Sequence, residues 1–186
     1  EGLNSNFDVQ TEIVTLNGTT AVALTKTFMR VYRMYVYESG SYVTVTTPSH
    51  NGRITLRNAG AGVTWCIIDT IEGTATGFGI GQSQVGSYTI PRGYTAYLLS
   101  KTFSTETAKP TSMYFFKREQ SNDVTTPYSG IMRLFEQNDG IQAPFNIEGK
   151  APIQKIPEMS EVGFFGRVAT GTASVSVEFQ LLLVQN

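Results

Sequence analysis

The chain has 186 residues, of which 40% are hydrophobic and only 16% charged, with 14 Lys+Arg set against 15 Asp+Glu. That length and apolar content suit one large β domain or two small ones with a real core. Basic residues gather nowhere along the chain, which argues against nucleic acid or an anionic membrane as partner. No apolar run approaches the roughly 18 residues of a membrane span, so a soluble protein is expected.

The chain opens on Glu1 rather than Met, which fits processing, a fragment or a chain that continues upstream. Residues 9–16 are β-branched and loosely alternating, and Asn17-Gly18 is a strong turn signal before Val22 and Leu24 resume a strand. Residues 28–37 carry the longest strand character. Phe28, Arg30, Tyr32, Met34 and Val36 fall on one face, and Met29, Val31, Arg33, Tyr35 and Tyr37 on the other. One sandwich interior cannot absorb large apolar groups from both faces. Tyr32, Met34, Val36, Tyr35 and Tyr37 are therefore the candidate subunit interface of a homo-oligomer.

Strands are expected next over residues 42–46 and 53–57, the second ended by Asn58-Ala-Gly-Ala-Gly62. Residues 63–71, with Trp65, Ile67 and Ile68, read as a fully buried strand. Cys66, the single cysteine, lies in this run and permits no intramolecular disulfide. The one Gly-rich stretch, residues 73–86, reads as a connection between an N-terminal lobe (residues 1–72) and a C-terminal lobe (residues 87–186). Tyr88 and Ile90 then alternate with polar neighbours up to Pro91-Arg92-Gly93, a corner expected to join two strands of one sheet. Further strands are expected over residues 95–103, 112–118, 131–136, 162–170 and 175–184, with Asn138-Asp139-Gly140 as a turn and residues 169–174 as a hairpin connection. The pattern predicts an all-β fold of antiparallel, jelly-roll-like sandwich type, in two β lobes. Trp65, Ile67, Ile90, Phe179, Leu181 and Leu183 are its expected core.

Chemistry is not marked in the same way. His50, the only histidine, lies in a Thr-Pro-Ser-His-Asn-Gly loop without a nucleophile elbow, and is expected at the surface. Gly77-Phe-Gly-Ile-Gly81 lacks the helix and lysine of a phosphate loop. Acids such as Glu158 and Glu161, or Asp8 and Glu12, leave a carbohydrate-active enzyme open as a different class of function, and the tyrosines leave a sugar-stacking platform open. No catalytic, cofactor-binding or metal-binding residues are assigned, and the reading is of a protein that is not an enzyme.

Several blocks carry a resemblance. Glu1-Gly-Leu-Asn, Thr11-Glu-Ile-Val-Thr-Leu-Asn-Gly-Thr-Thr20 and Lys26-Thr-Phe-Met-Arg-Val-Tyr-Arg-Met34 resemble the opening of a family of virion structural proteins of tailed, mainly marine, bacteriophages. Tyr88-Thr-Ile-Pro-Arg-Gly-Tyr-Thr-Ala-Tyr-Leu98 is similar to that family's Thr-Val-Pro-Ala-Gly-Tyr-Thr-Ala-Tyr-Leu. Lys150-Ala-Pro-Ile, Ile156-Pro-Glu and the ending Ser176-Val-Glu-Phe-Gln-Leu-Leu-Leu-Val184 match further. Arg92 departs from the family's alanine, and Cys66 lies in a segment that varies. The resemblance implies a capsid decoration or cement protein on the outside of the shell, with the major capsid protein and its own copies as partners. A trimer would match a threefold shell site. A tail or neck component that could serve as a host-glycan adhesin is the alternative. Family members continue upstream with β sequence, which implies that this chain lacks one or more first strands.

Overall fold

The computed structural model describes residues 1–41, 49–70, 79–105, 109–119, 133–142, 145–148 and 154–186. The architecture is all-β and antiparallel. Among the described residues the one helical element is a 3-10 turn, Ala59–Ala61. The described residues fall into two compact units, 1–85 and 86–186. Residues 73–78 of the expected Gly-rich connection lie outside the described residues. Residues 79–83 are not a linker, because they hydrogen-bond to residues 34–36 and 69–70 within the first unit. The strand expected over residues 42–46 also lies outside the described residues.

In the first unit β1 (Gly2–Leu3) lies between β2 (Val9–Gln10) and β3 (Arg30–Val31). The side-chain carbonyl of Asn4 accepts from the backbone N–H groups of Asn6 and Asp8 at 2.8 and 3.0 Å, which turns the chain, and Leu3 and Phe7 on either side of Asn4 are both buried. β4 (Ile54–Arg57) and β5 (Thr64–Ile68) form a separate hairpin around the 3-10 turn. The expectation of a fully buried strand here is corrected. Cys66 and Ile68 are buried, whereas Ile67 is 37% exposed and Trp65 is half-buried with its Nε1 donating to Asn58 Oδ1. Among the described residues β5 pairs only with β4, and its side chains alternate in burial.

The second unit is an antiparallel sandwich. Its first sheet is centred on β7 (Tyr94–Thr105), which pairs with β13 (Val175–Gln185) along one edge. Along the other edge it pairs with β10 (Phe145–Glu148) and β11 (Gln154–Ile156), placed end to end. The second sheet has the order β6 (Ser87–Thr89), β12 (Glu161–Val168), β8 (Thr111–Arg118), β9 (Arg133–Ile141). Ala96, Leu98, Phe103 and Ile156 from one sheet and Met113, Phe115, Val162 and Phe164 from the other make the core together with Ile90. Phe164 joins the layers, stacked on Phe115 at 4.6 Å between ring centres and edge-on to Phe103 at 5.0 Å. Ile90 is buried as expected, but Phe179, Leu181 and Leu183 are only half-buried, because β13 lies at the edge of its sheet. These pairings establish an antiparallel sandwich and do not by themselves establish jelly-roll winding.

Two connections differ from expectation in the same way. The Pro91-Arg92-Gly93 corner leads from β6 in one sheet to β7 in the other, and residues 169–174 lead from β12 to β13, again across the sandwich. The corner itself is built as its residues dictate. Gly93 has φ +78°, Tyr94 N–H donates to Pro91 O at 3.3 Å, and Gly93 N–H donates to the carboxylate of Glu158 at 2.5 Å. Glu158 sits in the reverse crossing from β11 to β12, and Ile90 N–H bonds Ser160 O at 2.8 Å there, so the two crossings are tied together. Asn138-Asp139-Gly140 is not a turn but part of a bulge inside β9, with Gly140 at φ +70°.

A bulge also organises β7. Ser100 aligns with Gln180 and Leu98 with Leu181, so Leu99 is the extra residue, and β10 and β11 pair on either side of the same point. Beyond it the inward positions shift from Ala96 and Leu98 to Lys101 and Phe103. Lys101 is thereby buried to 1% exposure. Its ammonium is paired with Glu136 on the opposite sheet and lies 5.5 Å from the ring centre of Phe115. Glu136 also accepts from Asn138 Nδ2 at 2.8 Å. Partial burial pushes the Glu136 carboxyl up, but the bonds from Lys101 and Asn138 outweigh it and hold the group below the ordinary glutamate value.

A depressed folded-state carboxyl contributes stability at neutral pH that is lost as pH falls through the ordinary range and then through the folded value. Glu136→Gln is expected to cost about 1–3 kcal/mol at neutral pH, because it strands a buried ammonium, and to flatten the acid limb of stability below about pH 5. Lys101→Met is expected to fall within about 1 kcal/mol of the parent or above it. Denaturant melts of the three proteins between pH 3 and pH 8 check both outcomes.

Candidate functional site

The aromatic segment after β3 is not one long strand. Tyr32 and Arg33 N–H groups both turn to Glu1 O, at 3.3 and 3.4 Å, and the ladder with β1 ends there. The chain then changes partner. Tyr35 bridges Gln82, Val36 N–H donates to Gly81 O at 2.8 Å, and Ser83 N–H donates to Met34 O at 2.8 Å. Ser83 Oγ also accepts from Met34 N–H at 2.8 Å. The alternation read from the sequence persists through this switch. Tyr32, Met34 and Val36 are half-buried, whereas Arg33, Tyr35 and Tyr37 face outward, Tyr37 at 69% exposure. Two of the five candidate interface residues thus present open rings, and three are partly covered by the unit itself.

Arg33, Tyr35, Tyr37, Ser39, Ser49 and Gln82 line a shallow open groove. The Arg33 guanidinium lies 4.8 Å from the ring centre of Tyr35 and holds that ring from one side. Flat aromatic faces beside hydroxyl and amide groups can stack on an apolar sugar face while bonding its hydroxyls. The groove lining depends on close backbone approach: Gly81 lies against Ser49, where a Cβ would sit 2.8 Å from the hydroxyl oxygen. Next to the groove Gly79 lies against His50, where a Cβ would sit 2.8 Å from the imidazole Cδ2. His50 is not at the surface: it is 6% exposed, its Nδ1 lies 2.8 Å from Gly52 O, and its Nε2 is buried without a partner among the described residues. The sequence signal for this fold-back was the pair Gly79 and Gly81, which reads equally well as linker composition.

A second exposed feature is the stretch of residues 12–25. Of the strand expected over residues 9–16 only Val9–Gln10 forms, no strand resumes at Val22 and Leu24, and the Asn17-Gly18 turn is closed by an Asn17–Thr20 bridge, where Thr20 N–H donates to Asn17 O at 3.0 Å. Ile13, Val14, Leu16 and Val22 are 66%, 37%, 52% and 41% exposed. The base of this arm is clamped. Glu12 accepts from Thr25 N–H at 2.8 Å, from Thr25 Oγ at 3.0 Å and from Lys26 N–H at 2.9 Å, and Lys26 Nζ donates to Thr11 O at 2.6 Å.

The acids considered for glycoside hydrolysis all have structural engagements. Asp8 accepts from Asn4 Nδ2 at 3.3 Å and Glu12 holds the arm. Glu158 binds the Gly93 turn, and Glu161 is buried against Arg118. Asp69 pairs with Arg53 at 2.7 Å, and this bond, followed by that from Thr70 N–H, holds its carboxyl below the ordinary value.

Ser83→Ala is expected to lose about 1–2 kcal/mol, because it leaves the Met34 N–H without its bond, whereas Tyr37→Ala should stay within about 0.5 kcal/mol of the parent. Paired thermal and denaturant melts separate a tyrosine that holds the fold from one that is offered to a ligand. In comparisons with known proteins, no family model, no curated protein and no solved structure matches this chain.

Proposed function

We propose that this chain is a structural virion protein of a tailed phage, a decoration or cement protein that binds the major capsid protein on the outside of the shell. The observation that carries the reading is the arm of residues 12–25, four of whose apolar side chains face outward from a clamped base. Such a surface suits a partner rather than water. The resemblance blocks add to it, since they include this arm, the sheet-crossing corner and β13. Repetition on a lattice makes modest contacts sufficient, because several of them act together. In this reading the chain is not an enzyme, needs no cofactor, and self-associates as a homo-oligomer, a trimer at a threefold shell site, through the stretch holding Tyr32, Met34, Val36, Tyr35 and Tyr37.

The test is co-sedimentation of the purified chain with capsid shells that lack it. Binding should saturate at on the order of hundreds of copies per particle, as symmetric decoration requires. Ile13→Asp combined with Leu16→Asp should reduce binding at least tenfold with an unchanged melting temperature. Saturation near a dozen copies would instead place the protein in the tail or neck.

The groove of Arg33, Tyr35, Tyr37 and Gln82 favours a second reading, a host-glycan adhesin. Glycan-array binding that disappears in Tyr37→Ala would support it, and an array with no signal would remove it.

A further inference from the structure

We infer that β13 is a self-pairing edge, through which two copies of this chain join their first sheets antiparallel about a twofold axis at Gln180. The starting point is the contrast among the sheet edges of the second unit. β6 has three residues, β10 and β11 share one interrupted edge, and β9 is broken by register shifts and carries Arg133 and Asp139. Those are the usual ways to keep an edge from recruiting another strand. β13 is neither short nor interrupted, and its one charged residue is Glu178. It runs eleven residues, Val175–Gln185, with no Pro, Gly, Lys or Arg, and among the described residues it pairs only with β7.

The geometry of the free side follows from one bond. Asn186 N–H donates to Gly93 O at 2.9 Å, so even-numbered residues direct their backbone groups to β7 and odd-numbered ones direct theirs to the open edge. The odd residues Val177, Phe179, Leu181 and Leu183 also carry the side chains that pack on the core, and they remain half-buried. Whatever pairs with this edge must therefore satisfy a row of peptide groups and extend an apolar layer at the same positions. A second copy does both. With Gln180 opposite Gln180 of the other copy, Phe179 meets Leu181, Val177 meets Leu183 and Val175 meets Gln185, and all eleven residues pair.

On the outer face Glu178 meets Leu182 and Ser176 meets Val184, so Leu182 and Val184, 48% and 43% exposed, gain cover. The two Glu178 carboxylates stand four residues apart, about 13 Å along the strand and beyond the screening length at physiological salt. An edge of eleven residues is about 36 Å long, and closing it removes on the order of 1,000 Å² from water, the lower bound for a specific interface. The inference stands on β13 alone, and the capsid assay tests the virion reading separately.

The experiment is analytical ultracentrifugation of the full chain with Q180K and Q180E. Gln180 is exposed, so neither variant disturbs the core, and circular dichroism checks their folding. The parent should show a twofold association in the micromolar range, monomer to dimer or, where a trimer forms through residues 32–37, trimer to hexamer. Each variant alone should dimerise at least tenfold more weakly, and an equimolar mixture should recover the affinity. Hydrogen exchange on the parent needs no variant: the amides of Phe179, Leu181 and Leu183 should gain protection as concentration rises, while those of Leu182 and Val184 stay protected throughout. A parent that is monomeric at high micromolar concentration, an oligomer insensitive to both charges, or odd-residue amides whose exchange ignores concentration would each overturn the pairing.

Discussion

The second unit depends on how β7 meets its neighbours, because β13, β10 and β11 all pair with it and, among the described residues, with no other strand. A strand of twelve residues that keeps strict alternation would direct Ala96, Leu98, Ser100 and Thr102 to the core. The bulge at Leu99 changes that. Lys101 and Phe103 become the inward pair, and Phe103 gains its contact with Phe164 at the cost of burying an ammonium group. Glu136 of β9 and the ring of Phe115 supply the compensation. The ion pair and the aromatic layer are therefore two consequences of one inserted residue, and neither could be kept if β7 were regular.

A sandwich also needs its layers held in register at the ends, where the twist of each sheet separates them. Here the two crossings at residues 90–94 and 156–161 lie against each other, and a single carboxylate, that of Glu158, binds the turn of the other crossing. The chain end joins the same place, through Asn186 N–H to Gly93 O and Thr95 Oγ1 to Asn186 Oδ1. Three remote stretches thus meet at a glycine that supplies a positive φ and exposes both of its backbone groups.

Much of this was legible in the residues. Period-two alternation and the density of turn residues led to an all-β chain, and the turn at Pro91-Arg92-Gly93 is the one its residue types require. What alternation cannot show is which strand lies beside which. A turn between strands of one sheet and a crossing between two sheets use the same residue types, so the Pro91 corner and residues 169–174 were assigned to the wrong geometry. Bulges were hidden for a related reason: a bulge is set by the partner strand, and Leu99 looks like any other residue of an apolar run. Burial of β5 was overestimated because an apolar run does not reveal that, among the described residues, β4 is its one partner strand. In the candidate site, the alternation of Tyr32 to Tyr37 between two faces could be read in advance, but not which face turns inward. Their partner, residues 81–83, could not, because Gly81 and Ser83 sit in a composition that signals a connection.

The arm of residues 12–25 shows how an exposed apolar surface can be made ready for a partner without a core beneath it. Ordering fourteen residues on contact would cost conformational entropy that a small apolar patch cannot offset. The Glu12 carboxylate removes part of that cost beforehand by accepting the N–H groups of Thr25 and Lys26, which joins the two ends of the arm and limits the paths of the chain between them. These same backbone bonds, with that of Thr25 first, hold the Glu12 carboxyl below its ordinary value. The sign is that of a depressed carboxylate: the clamp contributes fully above the ordinary glutamate range and weakens as acid protonates Glu12 through its lowered value. Whatever surface the arm meets, it meets in a form set at neutral pH by charge and backbone bonds at the base, while the apolar side chains further along remain free to supply the contact.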